Sequence, residues 1–124
     1  MGLESTRAQR VAEMMRRELG AMIQTELKDP RIGFASVMRV EVSRDLSVAK
    51  VFVSILGSEE SAADTLSALK HAVGYLRGEV GRRLKLRHAP ELDFRRDESI
   101  TKSLALHQMM KQLQTGEGDG DVRG

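Results

Sequence analysis

Residues 61–94 read SAADTLSALKHAVGYLRGEVGRRLKLRHAPELDF, and their pattern decides the fold. Leu66, Leu69, Val73, Leu76, Val80 and Leu84 recur at spacings of three and four, which is the period of a helix with one buried stripe. Gly74, Gly78 and Gly81 cross that stripe, and each costs a helix interior about 1 kcal/mol relative to alanine. The stretch therefore predicts a helix that bends, with Ala72-Val73-Gly74 as the site of the bend. Ser61, three residues before Asp64, reads as its N-cap. Leu86 falls off the stripe, so the helix ends near it, and Pro90 terminates the region. Leu92 and Phe94, set among Glu91, Asp93 and Arg95, alternate as a short strand.

Upstream, Thr6 and Gln9 form a T-x-x-Q capping box. Val11, Met14, Met15, Leu19, Met22, Ile23 and Leu27 follow at helical spacing, predicting an amphipathic helix over roughly residues 7–27. It stops at Lys28-Asp29-Pro30, because proline disfavours helix in the residue before it. Phe34, Ser36, Met38, Val40 and Val42 then alternate with Ala35, Val37, Arg39 and Glu41, and the first set is expected to face the core. After a polar turn at Ser43-Arg44-Asp45, Ala49, Val51, Val53 and Ile55 alternate with Val48, Lys50, Phe52 and Ser54. Two strands so closely joined make a hairpin. Downstream, Ser99 is expected to cap a short final helix carrying Ile100, Leu104 and Met110. The order is that of an α+β domain with helices on one face of a three-stranded sheet. Leu66, Leu69, Leu76, Val80 and Leu84 are expected to pack against Met38, Val40, Val51 and Val53. The domain is placed at residues 6–113, after a flexible N-terminus (1–5) and before a disordered Gly/Asp-rich tail (114–124).

Length and composition bound the function. A chain of 124 residues is one domain with a core of its own. It has no cysteine, which excludes disulfides, thiol catalysis and cysteine-ligated zinc. No apolar run spans a bilayer, and MGLESTRAQR lacks the apolar region of a signal peptide. Met1 to Thr6 fits the loose M-G-x-x-x-[ST] myristoylation pattern, a motif short enough to arise by chance. No Ser/His/Asp arrangement, nucleophile elbow or Walker loop occurs, and His71, His88 and His107 are scattered. Neither an enzyme nor a cofactor or metal site is expected.

Charge is segregated. Residues 77–96 carry seven basic and three acidic side chains, while residues 41–64 carry two basic and five acidic ones. Cations complement a helix C-terminus, but one or two suffice for that. Arg82, Arg83, Lys85 and Arg87, with Arg77 close by, exceed the need and point to a polyanion. Gly78-Glu79-Val80-Gly81 is formally the G-x-x-G that clamps nucleic-acid backbone in KH domains. Glu79 would lie against phosphate and the apolar stripe runs unbroken through it, so the kink at Ala72-Val73-Gly74 is the better candidate.

Taken together, RVAEMMRREL, LKDPRIGF and the A-V-G bend followed by YLRGEVGRRLKLRHAPELDFRRDES resemble the ribosome-binding factor A family over roughly residues 6–113. The resemblance implies a type II KH-like fold of αββααβ order, in which an Ala-x-Gly interhelical kink replaces the G-x-x-G loop. It also implies binding to the 30S ribosomal subunit, a part in late maturation of 16S rRNA and in cold adaptation, a cytoplasmic location and no catalysis. The expected RNA-binding residues are Lys28, Arg31, Ala72, Val73, Gly74, Arg77, Arg82, Arg83, Lys85 and Arg87. With so few aromatics, RNA would be read by shape and backbone rather than by sequence. A monomer is expected, without membrane association or a small-molecule substrate. The rival reading is a protein–protein adaptor that uses the acidic hairpin side.

Overall fold

The computed structural model describes residues 3–99 and 107–113. The chain forms α1 (Leu3–Thr25), β1 (Phe34–Val42), β2 (Val48–Leu56), α2 (Glu59–His71), α3 (Val73–Arg83) and β3 (Glu91–Arg96), and residues 107–113 are helical. The sheet order is β1-β2-β3, with β1 antiparallel and β3 parallel to β2. A parallel neighbour requires a crossover, and α2 and α3 supply it. This is the α+β order expected from the pattern, and the KH-like αββααβ architecture that the family resemblance implies. The expected tail (114–124), the Met1-Gly2 pattern, Ile100 and Leu104 lie outside the described residues.

The core forms where α1, α2 and α3 meet one face of the sheet. Met15, Leu19 and Met22 of α1 are fully buried, as are Leu69, Leu76 and Val80 of the α2–α3 stripe. Leu66 and Leu84 pack against the core at its margin. Along β2, Ala49, Val51, Val53 and Ile55 are buried and alternate with more exposed neighbours, as the period of two requires.

Several local expectations are corrected. The helix α1 begins at Leu3, inside the segment expected to be flexible, so the Thr6–Gln9 capping box does not mark its start. In β1 the expected inward face is wrong over its first half. Phe34 is 80% exposed, whereas Ala35 is buried and Val37 partly so. The reason is a bulge: Val37 pairs with Val53 and Arg39 with Phe52, leaving Met38 as the extra residue. An extra residue inverts the facing of everything beyond it, so Val40 and Val42 turn inward after Ala35 and Val37 have done so. Met38 thus faces away from the core instead of packing under the leucine stripe. The N-cap of α2 is Ser58, not Ser61: the Ser58 hydroxyl accepts a hydrogen bond from the Ser61 N–H at 3.0 Å. That places Glu59 and Glu60 in the first turn, where the helix dipole favours them.

Candidate nucleic-acid interface

The bend lies where it was expected. The α2 helix ends at His71 and α3 begins at Val73, with Ala72 between them at φ −89°, ψ 2°. Close packing at Gly74 does not account for the bend. A Cβ built on Gly74 meets nothing within 4 Å, and the same holds at Gly78. Crowding occurs at Gly81 instead, where a Cβ would stand 3.2 Å from the Ala89 Cβ. Successive turns of α3 thus expose bare backbone at Gly74 and Gly78. No side chain caps the N-terminus of α3, and its first turn holds no acidic residue.

A second segment joins the kink. The α1–β1 turn is folded against α2 by Thr65, a completely buried hydroxyl that donates to the Arg31 carbonyl (3.0 Å) and accepts from the Gly33 N–H (3.3 Å). The Arg31 guanidinium thereby comes 3.3 Å from His71 Nδ1, beside the kink. Asp29 fixes the turn: it accepts the Arg31 backbone N–H at 2.9 Å and pairs with the guanidinium at 2.7 Å. The guanidinium foremost, then that N–H, holds the Asp29 carboxyl at about 2. Lys28 and Lys70 are exposed at this corner, each without an ion pair among the described residues. Lys28, Arg31, Ala72, Val73 and Gly74 therefore converge, although up to 46 positions of sequence separate them.

The remaining cations lie along α3 and beyond its far end, about 16 Å away at 1.5 Å per residue, and they differ in freedom. Arg83 is only 24% exposed and is the hub of a network: Glu26 at 2.8 Å, Glu79 at 3.1 Å and Glu18 at 3.5 Å. Tyr75 joins by donating to Glu26 at 2.8 Å. The hydrogen bonds from Arg83 and then Tyr75 lower the Glu26 pKa, and the bond from Arg82 foremost lowers that of Glu79. Arg82 is exposed, though it leans on Glu79 at 2.7 Å. Arg77 donates twice to the Ala89 carbonyl, at 3.1 and 2.9 Å, and so pins the loop that leads into β3. Lys85 and Arg87 are exposed and form no ion pair among the described residues. Lys85 has φ +56°, and the Lys85 and Leu86 N–H groups close back onto Arg82 and Gly81 carbonyls. This is the Schellman ending of a helix, whose left-handed position is normally glycine.

Charge counting in the sequence did not place the glutamates. Glu18 and Glu26 are distant in sequence and Glu79 was weighed only as an obstacle to phosphate, yet together they take up Arg83 and part of Arg82. Thr65 and Tyr75 were missed because a single hydroxyl in a helical stripe carries no sequence mark of its partner. Among the described residues no group of three or more His, Asp or Glu side chains is placed to hold a metal, and no helix is long and apolar enough to cross a membrane.

The family model described as Ribosome-binding factor A matches residues 7–110. The Ribosome-binding factor A of Desulforamulus reducens is 45% identical over 113 residues, covering 91% of this chain and 94% of that one. The crystal structure of ribosome-binding factor A from Thermus thermophilus matches with a TM-score of 0.63 and 32% identity, over 72% of this chain and 94% of that one. A Thermus thermophilus ribosome binding factor A homology model, fitted into the cryo-EM map of a 30S complex, matches at a TM-score of 0.62 and 33% identity, over 73% and 96%.

Proposed function

Because this chain belongs to the ribosome-binding factor A family, we propose that it binds the 30S ribosomal subunit in the cytoplasm, as a monomer, and supports late maturation of 16S rRNA without catalysing a reaction. The domain that does so spans residues 6–113. One observation carries the reading: the α1–β1 turn and the α2–α3 kink meet, Arg31 against His71, at a helix N-terminus that no side chain caps. Uncapped N–H groups and the positive end of the helix dipole favour a phosphate, and the bare backbone at Gly74 leaves room for it to approach. Lys28 and Arg31 supply charge at this end of α3. Arg77, Arg82, Lys85 and Arg87 supply it along the helix and at its far end. Arg83 acts mainly by holding α3 on α1 and adds less to the phosphate contacts. Such a face reads the shape and backbone of folded RNA, and occupying an immature rRNA arrangement would delay competing contacts until maturation proceeds. Work at low temperature, where misfolded RNA persists, is the setting in which this matters most.

The test is a salt titration of binding to 30S subunits or rRNA fragments. Each phosphate contact removed reduces the slope of log K against log salt by about one. Lys85→Ala with Arg87→Ala should therefore lower the slope by up to about two. Glu59→Gln with Glu60→Gln should leave the affinity equal or higher. If the basic pair binds like the parent while the acidic pair loses association, an adaptor using the acidic hairpin side replaces this reading.

A further inference from the structure

The helices cover one face of the sheet, and the other face carries an apolar corner. Phe34 and Leu56 are register partners across β1 and β2, and they are 80% and 59% exposed. Both sit at the end of the sheet where β2 finishes. Because β3 runs parallel to β2, the chain leaves β3 at that same end. A second uncovered apolar surface lies a short way on: in the helical residues 107–113, Met109, Met110 and Leu113 are 60%, 52% and 81% exposed. Positions 109 and 113 share a helix face and 110 borders it.

We propose that the helix spanning residues 107–113 closes over the Phe34–Leu56 corner and covers it with Met109, Met110 and Leu113. Two observations favour this occupant. The exit of the chain is tied down on the open side: the Asp97 carboxylate accepts the Ser99 N–H at 2.9 Å and meets the Arg39 guanidinium at 3.5 Å, and that guanidinium lies 3.9 Å over the Phe52 ring. Reach is ample: beyond the tied Asp97–Ser99 turn, residues 100–106 can extend up to about 23 Å, and two strand spacings are about 10 Å. Apolar cover supplies the attraction, and the tethered exit fixes the side of the sheet from which the helix approaches. The closed form would keep the C-terminal segment on the sheet side of the molecule, away from the α3 face.

The chain has no tryptophan, so Phe34→Trp creates a single reporter in the full-length protein. Its emission should be blue-shifted and protected from acrylamide. Adding Met109→Ser, Met110→Ser and Leu113→Ser should shift it to the red and expose it to quenching, whereas Gln108→Ser, on the opposite helix face, should not. Far-ultraviolet circular dichroism and thermal melts establish that each variant keeps the fold. Identical emission and quenching with and without the triple substitution overturns the proposal. So does a difference that grows with protein concentration, which would assign the corner to a second copy of the chain.

Discussion

Lys85 and Arg83 are neighbours of like charge with opposite structural meanings. Lys85 occupies a left-handed backbone position, which for a residue with a Cβ costs roughly 1–2 kcal/mol. Lys85→Gly should therefore stabilise the fold by about 1 kcal/mol in denaturant unfolding while removing one cation from the proposed RNA face. A variant that melts higher and binds 30S less tightly would show that the strain is kept for the sake of the charge. Arg83 is the reverse case. Its guanidinium satisfies Glu26, Glu79 and Glu18 at once, and removing it leaves three carboxylates facing one another. Arg83→Ala should lower the melting temperature clearly. Arg82→Ala, at an exposed position with a single partner, should leave it close to that of the parent. The equal treatment of these two arginines suggested by the sequence is thereby separated by thermal melts.

At the scale of elements, glycine position within α3 matters more than glycine number. Gly74 and Gly78 open onto empty space, and Gly81 faces Ala89 at 3.2 Å. Gly74→Ala should hold or raise stability, by up to about 1 kcal/mol from helix propensity. Gly81→Val should lower it by about 1–3 kcal/mol, because the added methyls meet the loop before Pro90 in a packed site. Binding should rank the other way. A side chain at Gly74 obstructs the approach to the uncapped start of α3, so Gly74→Val should weaken 30S association with the fold intact. Urea unfolding and subunit sedimentation, measured on the same variants, check both rankings. The β1 bulge belongs to this scale as well. By turning Met38 outward and Val40 inward, it lets one strand present Ala35 and Val42 to the same core, and it interrupts an edge that could otherwise pair with another strand.

Over the molecule as a unit, Arg83 ties α3 to α1 through Glu18 and Glu26 while the local Asp29–Arg31 pair braces the α1–β1 turn, and these pairs predict the acid response. Glu26, Glu79 and Asp29 all have folded pKa values below their ordinary values of 4.5, 4.5 and 3.8. A depressed carboxyl pKa contributes stability that is fully present above the unfolded value and is lost as pH falls through the folded value. The melting temperature should therefore hold between pH 7 and 5, then decline from about pH 4.5 towards 2. Arg83→Gln should flatten the part of that decline due to Glu26 and leave the Asp29 part and most of the Glu79 part, which Arg82 sustains, and a pH series of melts resolves the difference. An Arg83→Gln profile that parallels the parent would show that the network does not couple α1 to α3 in solution.

Much of this architecture was already legible in the chain. Buried positions repeat every three to four residues in helices and every two in strands, so the element order, the β2 face, the stripe from Leu66 to Leu84 and the bend at Ala72 were readable without coordinates. The local resemblance of LKDPRIGF and RRLKLRHAPELDF carried the family. The concentration of cations in and just after α3 could also be counted along the chain. Relations between residues far apart in sequence emerged only from the packed fold. Met38 reverses the face of β1 because a bulge depends on the partner strand's register. Arg83 is committed to Glu18 and Glu26 because α1 lies alongside α3. Gly74 proved to be open and Gly81 crowded because Ala89 returns from a loop. Periodicity records which way a side chain points along its own element, and the neighbour it meets is set by how separate elements pack.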